Sequence, residues 1–348
     1  MMSDTVTAED LERSLLWAAA QAPSPAAGLF GPDSATWRID REAILFLAAG
    51  RALLMQLAHP WVAQGIVDHS VSLDDPLGRF HRTFSAMFSF VFGTVDQALD
   101  AARRLHRRHS AIEGILREKA GPFAAGSSYQ ANHLPALCWV LTTLTDGAVS
   151  AYETVLGPLE PLMRQRYVDE CRLLGAMFGI PPEMIPRDWA AFEAERDRRL
   201  ASDELTVTAC ARSVADRLVI RAPLPLLAPA FRAVTVRLLP ECLRVEYGLV
   251  LAGKEARNGD RAIDWLRHIH PRLPSVLRHV GPYHEAVGRL RGRTRPAPLT
   301  RVLNRVWIGG PALPGRIPNY ADFAGSPSTR RGSSRPDCVN SSETELRQ

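Results

Sequence analysis

Apolar residues recur every three or four positions along most of the chain, which is the spacing of one face of an α-helix. Runs of Ala, Leu, Arg and Glu dominate these segments, and alternating stretches of β-branched residues are scarce. Breaks that contain Pro or Gly separate the periodic segments. The pattern predicts an all-α protein with helices near 8–20, 41–57, 60–68, 76–92, 95–118, 133–155, 159–178, 186–200, 204–217, 226–238, 240–248, 256–268 and 283–290.

The periodic part of the sequence is expected to form one large domain of many helices over residues 10–290. From about Arg291 the composition changes, and residues 291–325 combine Pro, Gly and Arg without a clear helical period. We expect a loop-rich C-terminal extension there. The segment 326–348 is polar and rich in Ser and Arg, a composition that buries too little apolar surface to fold, and it is predicted to be a disordered tail.

The most apolar stretch of the chain runs from Ala43 to Val67. Arg51, His59 and Pro60 interrupt it. Because a bilayer span needs about 20 mostly apolar residues, we expect a helix buried in the protein and no transmembrane segment. The first residues lack a basic region followed by an apolar core, so no signal peptide is expected.

The chain carries a net charge of +5 and five cysteines that are far apart in sequence. Without paired spacings, a disulfide framework, a thiolate zinc site and covalently attached c-type haem are not expected. This cysteine usage predicts a cytoplasmic protein. The mild excess of positive charge would suit an acidic ligand, an anionic membrane surface or nucleic acid, and the net charge alone does not distinguish these partners.

Two cations and a hydroxyl share one face of the helix predicted over 76–92. At about 100° per residue, Arg79, Arg82 and Thr83 fall on the stripe that continues to Phe90. If this stripe is buried, the arginines need an anion or several acceptors, since an unpaired buried charge is costly. Alternatively, the first two turns are exposed and the arginines pair with the aspartates at 74–75 or with the tail.

The segment 95–118 predicts an amphipathic helix with a histidine on its apolar stripe. Leu105, His109 and Ile112 lie on this stripe. His109 is therefore either a core histidine hydrogen-bonded to a carbonyl group or a ligand of a metal or haem iron, because neutral imidazole is a common ligand in apolar surroundings.

Four arginines occupy the rest of the same helix. Arg103, Arg104 and Arg107 are expected on the face opposite His109, and Arg108 at its flank. A face of this charge is typical of a solvated surface. A helical scaffold or nucleic-acid-binding protein that uses the Arg103–Arg108 face stays an alternative. Neither interleaved aromatic residues nor a DNA-binding motif accompanies it, so no nucleic-acid partner is expected.

Two other groups of residues are weaker candidates. His59, which precedes Pro60, is expected to cap the helix that ends there. A non-haem metal site built from Asp68, His69 and the aspartates at 74–75 is an alternative, although its spacing matches no established ligand pattern. Motifs for a serine nucleophile, a P-loop and a dinucleotide-binding turn are absent from the sequence.

Six blocks of sequence, taken in order, resemble one protein family. Between about residues 40 and 250 their order and spacing are similar to the MpaB-type/rubber (latex-clearing) oxygenase catalytic domain family. The blocks are "LLMQLAHPWVAQGIVDHS", "DDPLGRFHRTFSAMFSFVFGT", "RRHSAIEG", "YQANHLPALCWVLTTLTDGAVSAYE", "YVDECRLLGAMFGIPPEMIP" and "LLPECLRVEYGL". The resemblance implies an all-helical fold whose apolar pocket holds a non-covalent haem b. Characterised family members use O₂ to cleave carbon–carbon double bonds of isoprenoid chains.

The resemblance also implies roles for individual residues. His109, followed by Ile112, matches the family's H-x-x-[VI]-x-G block, whose histidine ligates the iron. Arg79, Arg82 and Thr83 match an Arg-x-x-[Lys/Arg]-Thr block on the distal side and are the implied catalytic group. The implied haem contacts are His109, Arg79, Met87, Phe90, Leu105 and Ile112.

Arg82 departs from the rubber-cleaving branch of the family, which has a lysine that can occupy the second axial position of the iron. A guanidinium group stays protonated and has no lone pair to give, so Arg82 is not expected to ligate iron. The departure at Arg82 therefore implies an open or water-occupied distal position, and it favours a small apolar, unsaturated substrate over a polymer. Peripheral membrane contact fits a lipid-soluble substrate. A haem sensor or carrier without oxygenase activity remains an alternative.

Overall fold

The helices and strands described here come from a computed structural model that covers residues 4–69, 75–220 and 228–315. Within these ranges the chain forms sixteen α-helices and one two-stranded antiparallel sheet, and the expected all-α fold is confirmed. The elements are α1 (Ala8–Ala20), α2 (Ala35–Asp40), α3 (Leu47–Leu57), α4 (Pro60–His69), α5 (Pro76–Phe92), α6 (Val95–Ser110), β1 (Glu113–Ile115), β2 (Ser128–Gln130), α7 (Leu134–Leu156), α8 (Pro161–Ala176), α9 (Trp189–Leu200), α10 (Ala209–Ala215), α11 (Ala228–Leu238), α12 (Glu241–Tyr247), α13 (Gly253–Ile269), α14 (Ser275–Arg278), α15 (Gly281–Leu290) and α16 (Pro298–Ile308).

Helix α7 contributes much of the core and packs against α3, α8 and α13. The indole of Trp139 is fully buried and its Nε1 donates to the carbonyl oxygen of Met55 at 2.9 Å. Asp146 accepts hydrogen bonds from Arg51 of α3 and, at 2.9 Å, from Arg196 of α9. Because Asp146 and Arg51 are both buried, this ion pair fixes α3 against α7.

A helical hairpin formed by α5 and α6 presents the candidate site. The carboxylate of Asp75 caps α5 by accepting from the backbone N–H of Gly78 at 2.8 Å. Thr94 and Gln97 form a capping box at the start of α6. Only Gly93 and Thr94 separate the two helices, which pack against each other. The first turns of α5 therefore lie beside the last turns of α6.

The apolar stretch from Ala43 to Val67 is divided rather than continuous. A 3₁₀ turn at Ala43–Phe46 and α3 are followed, after a break at Ala58 and His59, by α4 at an angle of 102°. By length and composition, α7 is apolar enough to cross a membrane, and the bent pair would qualify together. Because 67% of the α7 window is buried in the protein, α7 also fits the description of a core helix.

The helix predicted over 95–118 is too long. Helix α6 ends at Ser110, and the chain turns at Ala111 into β1, which pairs with β2. Gly114 lies opposite Tyr129, and a Cβ atom at Gly114 would lie 2.6 Å from the tyrosine hydroxyl oxygen. Beyond Ser110 the apolar residues happen to keep the spacing of a helix. Strands of three residues are too short to show the alternation of apolar and polar residues that would have marked them as strands.

The described residues 4–69, 75–220 and 228–315 belong to one compact unit, and the predicted tail at 326–348 lies outside the described residues. The described part of the predicted extension, residues 291–315, is less irregular than expected, because α16 lies within it and packs against α15 and α5. Asn304 of α16 is fully buried and donates to Glu285 of α15 at 2.6 Å. The periodicity of the sequence could not predict this hydrogen bond between the buried side chains of Asn304 and Glu285.

A buried carboxylate links the start of the fold to its C-terminal helices. Glu42 is 1% exposed and accepts two hydrogen bonds from Arg278, at 2.8 and 2.9 Å, and one from His270 at 2.9 Å. Burial alone would raise the pKa of Glu42, but the hydrogen bonds from His270, His279 and Arg278 hold it well below its ordinary value. This ionised group explains the burial of two of the C-terminal histidines.

Candidate functional site

A cavity of about 1030 Å³ lies among α4, α5, α6 and α7, and residues at the end of α16 complete its wall. Its lining contains apolar side chains from several helices and from the turn after α8, including Leu105, Leu137, Val140, Leu144, Phe178 and Ile308. The cavity brings together most of the site residues predicted from the sequence, namely Arg79, Arg82, Thr83, Met87, Leu105, His109 and Ile112. The predicted residues therefore share one site although two helices and a loop supply them.

Phe90 is the predicted site residue that does not line this cavity. Its side chain is fully buried and meets the ring of Phe178 edge to face, with 5.8 Å between the ring centroids. Phe178 itself lines the cavity. Phe90 thus lies one layer behind the wall, because the helical stripe that begins with Arg79 turns into the core as α5 continues. This location does not support a direct cofactor contact.

His109 lies on the last turn of α6 and is half-buried. Desolvation lowers the pKa of its imidazole to about 4, and the positive charges of His106 and Arg108 act in the same direction. The nearby side chain of Asn132 acts in the opposite direction and raises this pKa slightly. The imidazole is therefore uncharged at neutral pH and can offer a lone pair to a ligand in the cavity.

Arg79 brings a partly desolvated cation to the cavity wall. Burial lowers the pKa of its guanidinium, and the neighbouring charge of Arg82 lowers it further. A guanidinium nevertheless stays protonated in proteins. A positive charge removed from water attracts anionic groups more strongly than one in solvent. This end of the cavity therefore favours a carboxylate or another anion.

Arg82 and Thr83 are exposed, in contrast to Arg79. The Nη1 of Arg82 lies 3.3 Å from Oδ2 of Asp75, the residue that caps α5. The backbone hydrogen bond from Gly78 is the main cause of a lowered pKa at Asp75, and Arg82 contributes to it. The pairing of an exposed arginine with Asp75 was one of the two alternatives left open by the sequence. Asp74 lies outside the described residues.

The cavity face of α6 differs from the apolar stripe expected from the sequence. Arg104 and Arg108 line the cavity with Leu105 and His109, although Arg104 was expected on the opposite face and Arg108 at its flank. The expected solvated role fits Arg103 better, since its Nε and Nη2 each lie 2.7 Å from the carboxylate of Glu12. The helical period did not predict that Arg104 and Arg108 border the cavity, because the wall of a cavity, unlike a packed core, tolerates charged side chains.

Residues 36–268 match the sequence model of one family, described as ER-bound oxygenase mpaB/B'/Rubber oxygenase, catalytic domain. The match covers more than half of the chain. The chain belongs to this family. The resemblance drawn from the six sequence blocks is thereby confirmed, and the protein is an oxidoreductase of the oxygenase class. Neither a curated protein nor a solved structure matches the chain.

The family match contains every site residue predicted from the sequence, because these residues fall between Arg79 and Ile112. Part of the cavity wall of this oxygenase lies beyond the match. Ile308, Gly309 and Pro314 line the cavity from the end of α16. The imidazole of His81 joins α16 to α5, with its Nε2 lying 3.1 Å from the carbonyl oxygen of Val306.

Asp68 and His69 form hydrogen bonds with other residues of the same chain. The carboxylate of Asp68 accepts from Gln64 at 3.0 Å and from the hydroxyl of Tyr129 at 2.8 Å, and it pairs with Arg117. The Nε2 of His69 lies 2.8 Å from the carbonyl oxygen of Glu113. Among the described residues, no three acidic, histidine or cysteine side chains gather as a metal site would require. The hydrogen bonds of Asp68 therefore support a structural role for this residue rather than a role as a metal ligand.

The capping role expected for His59 is wrong. His59 is 2% exposed, and its Nδ1 has no hydrogen-bond partner in the described part of the chain. Instead, its ring packs near the rings of Trp61 and Phe123, at centroid distances of 6.1 and 5.4 Å. Desolvation, with a contribution from His133, lowers the pKa of His59 to about 3. The histidine is therefore an uncharged part of an aromatic cluster behind the cavity.

Proposed function

We propose that this oxygenase holds haem b non-covalently in the cavity and that His109 is the proximal ligand of the iron. The observation that carries the proposal is an uncharged imidazole at the wall of a large, mostly apolar cavity. Neutral imidazole is a common ligand of haem iron. A porphyrin supplies four nitrogen ligands of its own, so a single protein ligand is enough, and no cluster of acidic or histidine side chains is required.

The residues around the cavity fit haem b. The volume of about 1030 Å³ lies just above the range of roughly 300–1,000 Å³ that is usual for ligand sites. Apolar side chains such as Leu137 and Val140 would contact the macrocycle, and the desolvated guanidinium of Arg79 would form a charge-assisted hydrogen bond with a propionate. When bound, haem would supply the activation of O₂.

We further propose that the substrate is a small apolar, unsaturated molecule of isoprenoid type and that its C=C bond is cleaved. One C=C bond and one O₂ give two carbonyl groups, so atoms and electrons balance without an external reductant. Met87, Leu105 and Ile112 would exclude water and hold the apolar chain. Arg82 cannot ligate iron and would contribute charge at the exposed rim, where the hydroxyl of Thr83 can donate a hydrogen bond.

The cellular setting belongs to the same proposal. A reducing cytoplasm fits the unpaired cysteines Cys138, Cys171, Cys210 and Cys242. Peripheral contact with a membrane surface would give a lipid-soluble substrate access to the cavity. O₂ and the apolar substrate are the partners that this reaction needs.

Isotope labelling tests the proposal directly. The full chain, loaded with haem b, is supplied with ¹⁸O₂ and an isoprenoid polyene such as squalene. We expect two carbonyl products that each carry one ¹⁸O atom. His109→Ala should abolish turnover, while the control His106→Gln on the same helix should retain it. Hydroxylated products, or carbonyl oxygen derived from water, would contradict cleavage by this route. A haem-loaded protein that turns over no polyene would instead support a haem sensor or carrier.

A further inference from the structure

Helix α16 exposes an apolar stripe along one side. Leu299, Val302 and Val306 are 56%, 54% and 61% exposed, and at about 100° per residue they fall within about 60° of one another. The other large apolar side chains that are exposed in the described part of the chain are spread over separate helices and loops, with at most two on any one helix. Single exposed apolar residues are normal, whereas a contiguous group marks an interaction surface.

Arginines accompany this stripe, and the surrounding sequence contains no acidic residue. From Ala286 to Gly315 the chain has six arginines and no Asp, Glu or Lys. Arg289 is buried, but the other five are exposed, namely Arg291, Arg293 and Arg295 before α16 and Arg301 and Arg305 within it. A helix with an apolar face and flanking arginines is typical of one that lies in the interface of a membrane with anionic lipids.

The C-terminal end of the same helix forms part of the cavity wall. Ile308 lines the cavity from the buried side of α16. Gly309, three residues after Val306, also lines the cavity and is exposed, as are Arg82 and Thr83 of α5. The cavity therefore reaches solvent beside the end of the exposed stripe. A molecule that leaves a surface covering this stripe has a short path into the cavity.

Charge distinguishes a membrane from other partners that could cover the stripe. The segment 316–348 contains five arginines and four acidic residues, so it brings no excess of negative charge to Arg301 and Arg305. In a symmetric dimer the same patch meets itself, which would place these arginines against like charges. A nucleic acid would neutralise the arginines but would leave the apolar stripe in water. An anionic bilayer satisfies both the apolar and the charged residues.

We propose that α16 docks on an anionic membrane through Leu299, Val302, Val306, Arg301 and Arg305, which we call the docking face, and that the cavity then opens beside the lipid. Helix α16 lies beyond the family match at residues 36–268, so membership in the family does not assign this surface. Docking depends on the chain alone, whereas delivery of a lipid-soluble substrate to the cavity rests on the proposed function. The two can therefore fail separately.

Vesicle sedimentation of the full chain without haem tests the apolar part of the docking face. We expect tighter binding to mixed phosphatidylcholine and phosphatidylglycerol vesicles than to phosphatidylcholine alone. The double variant Val302→Gln and Val306→Gln should bind the mixed vesicles about 10- to 100-fold more weakly, because two side chains lose apolar burial.

The matched controls are Leu162→Gln and Val245→Gln, at side chains that are 72% and 75% exposed on α8 and α12. Both should bind as the wild type does. A wild-type protein that does not bind the mixed vesicles, or equal losses in the controls and in the valine variant, would overturn the proposal.

The arginines of the docking face give a second readout. Arg301→Gln with Arg305→Gln should weaken binding to the mixed vesicles about 10- to 30-fold, because each basic residue near an anionic surface adds to the attraction. Arg301→Lys with Arg305→Lys keeps the charge and should keep the affinity. An unchanged affinity in the glutamine variant would overturn the role of these arginines. A dimer that the valine variant dissociates, or duplex DNA that displaces the vesicles, would assign the face to another partner and overturn the proposal.

Turnover separates docking from the proposed function. With the haem-loaded chain, the valine variant should raise the KM for squalene held in mixed vesicles and leave the KM for squalene in detergent unchanged. Equal changes in vesicles and in detergent would overturn the delivery role of the docking face. A wild-type protein that binds the vesicles but cleaves no squalene would contradict the proposed function, and the docking face would stand on the vesicle binding.

Discussion

Arg79 and His109 border one cavity from the two helices of a single hairpin. Both side chains are partly desolvated, and desolvation lowers the pKa of each. Arg79 remains a cation at neutral pH, whereas His109 is a neutral base. This pairing of a fixed positive charge with a free lone pair suits a ligand that carries both an anionic group and a metal ion.

The first prediction concerns Arg79. Arg79→Gln should weaken haem binding about 10- to 100-fold, because a hydrogen bond to a charged group contributes about 1.5–3 kcal/mol. The matched change Arg82→Gln, three residues later on α5, should change haem affinity less than about threefold. Arg82 is exposed and already paired with Asp75. Haem titration followed by absorption measures both, and equal losses in the two variants would contradict the assignment of Arg79.

The second prediction concerns pH and His59. Desolvation lowers the pKa of its imidazole from 6.5 to about 3 in the folded protein. The stability linked to this neutral group is complete above pH 6.5 and is lost as the pH falls toward 3, because the unfolded chain takes up the proton. Between pH 7 and pH 5 this group should lower the free energy of unfolding by about 2 kcal/mol.

His59→Phe isolates this contribution, because it keeps an aromatic ring in the cluster and removes the titrating group. Urea unfolding of wild type and variant at pH 5 and pH 7 gives four free energies. The decrease between the two pH values should be about 2 kcal/mol smaller in the variant. An equal decrease in both proteins would show that His59 is not desolvated in the folded state.

The third prediction concerns the ion pair between α3 and α7. Asp146→Leu should lower the free energy of unfolding by about 3–5 kcal/mol, because it leaves the buried guanidinium of Arg51 without its anion. Asp169→Leu is the control, since Asp169 is 61% exposed in its pair with Arg172 and should cost at most about 1 kcal/mol. Urea unfolding at neutral pH measures both. A loss below about 1 kcal/mol at Asp146 would mean that the pair is hydrated.

The sequence predicts much of this fold because most helices carry their own start and stop signals. The bounds of α1 and α5 agree with the periodic segments at 8–20 and 76–92. The short sheet and α16 were missed, since a strand of three residues shows no period and α16 lies in a segment dominated by Pro, Gly and Arg. Those compositions mark loops on average, but packing of α16 against α15 and α5 overrides the local preference.

The candidate site was predictable to the level of helix faces. The spacing of Arg79, Arg82 and Thr83 placed them together, and the apolar stripe of α6 turned His109 inward. Spacing could not show that Arg104 and Arg108 also border the cavity, because a helix face can meet a core, a cavity or solvent. Nor could it show that Asn132, which borders a smaller cavity beside His109, donates hydrogen bonds to Ser110 and to the carbonyl oxygen of His106 on α6. Such a relationship exists only once the chain is folded.

The central claim is that His109 ligates haem iron, and the absorption spectrum of the haem-titrated protein tests it most directly. The wild-type chain should bind one equivalent of haem and develop a Soret band typical of histidine ligation. His109→Ala should lose that ligation spectrum, and added imidazole should restore it in part. A wild-type protein without a Soret band, or identical ligation spectra for wild type and His109→Ala, would contradict the account.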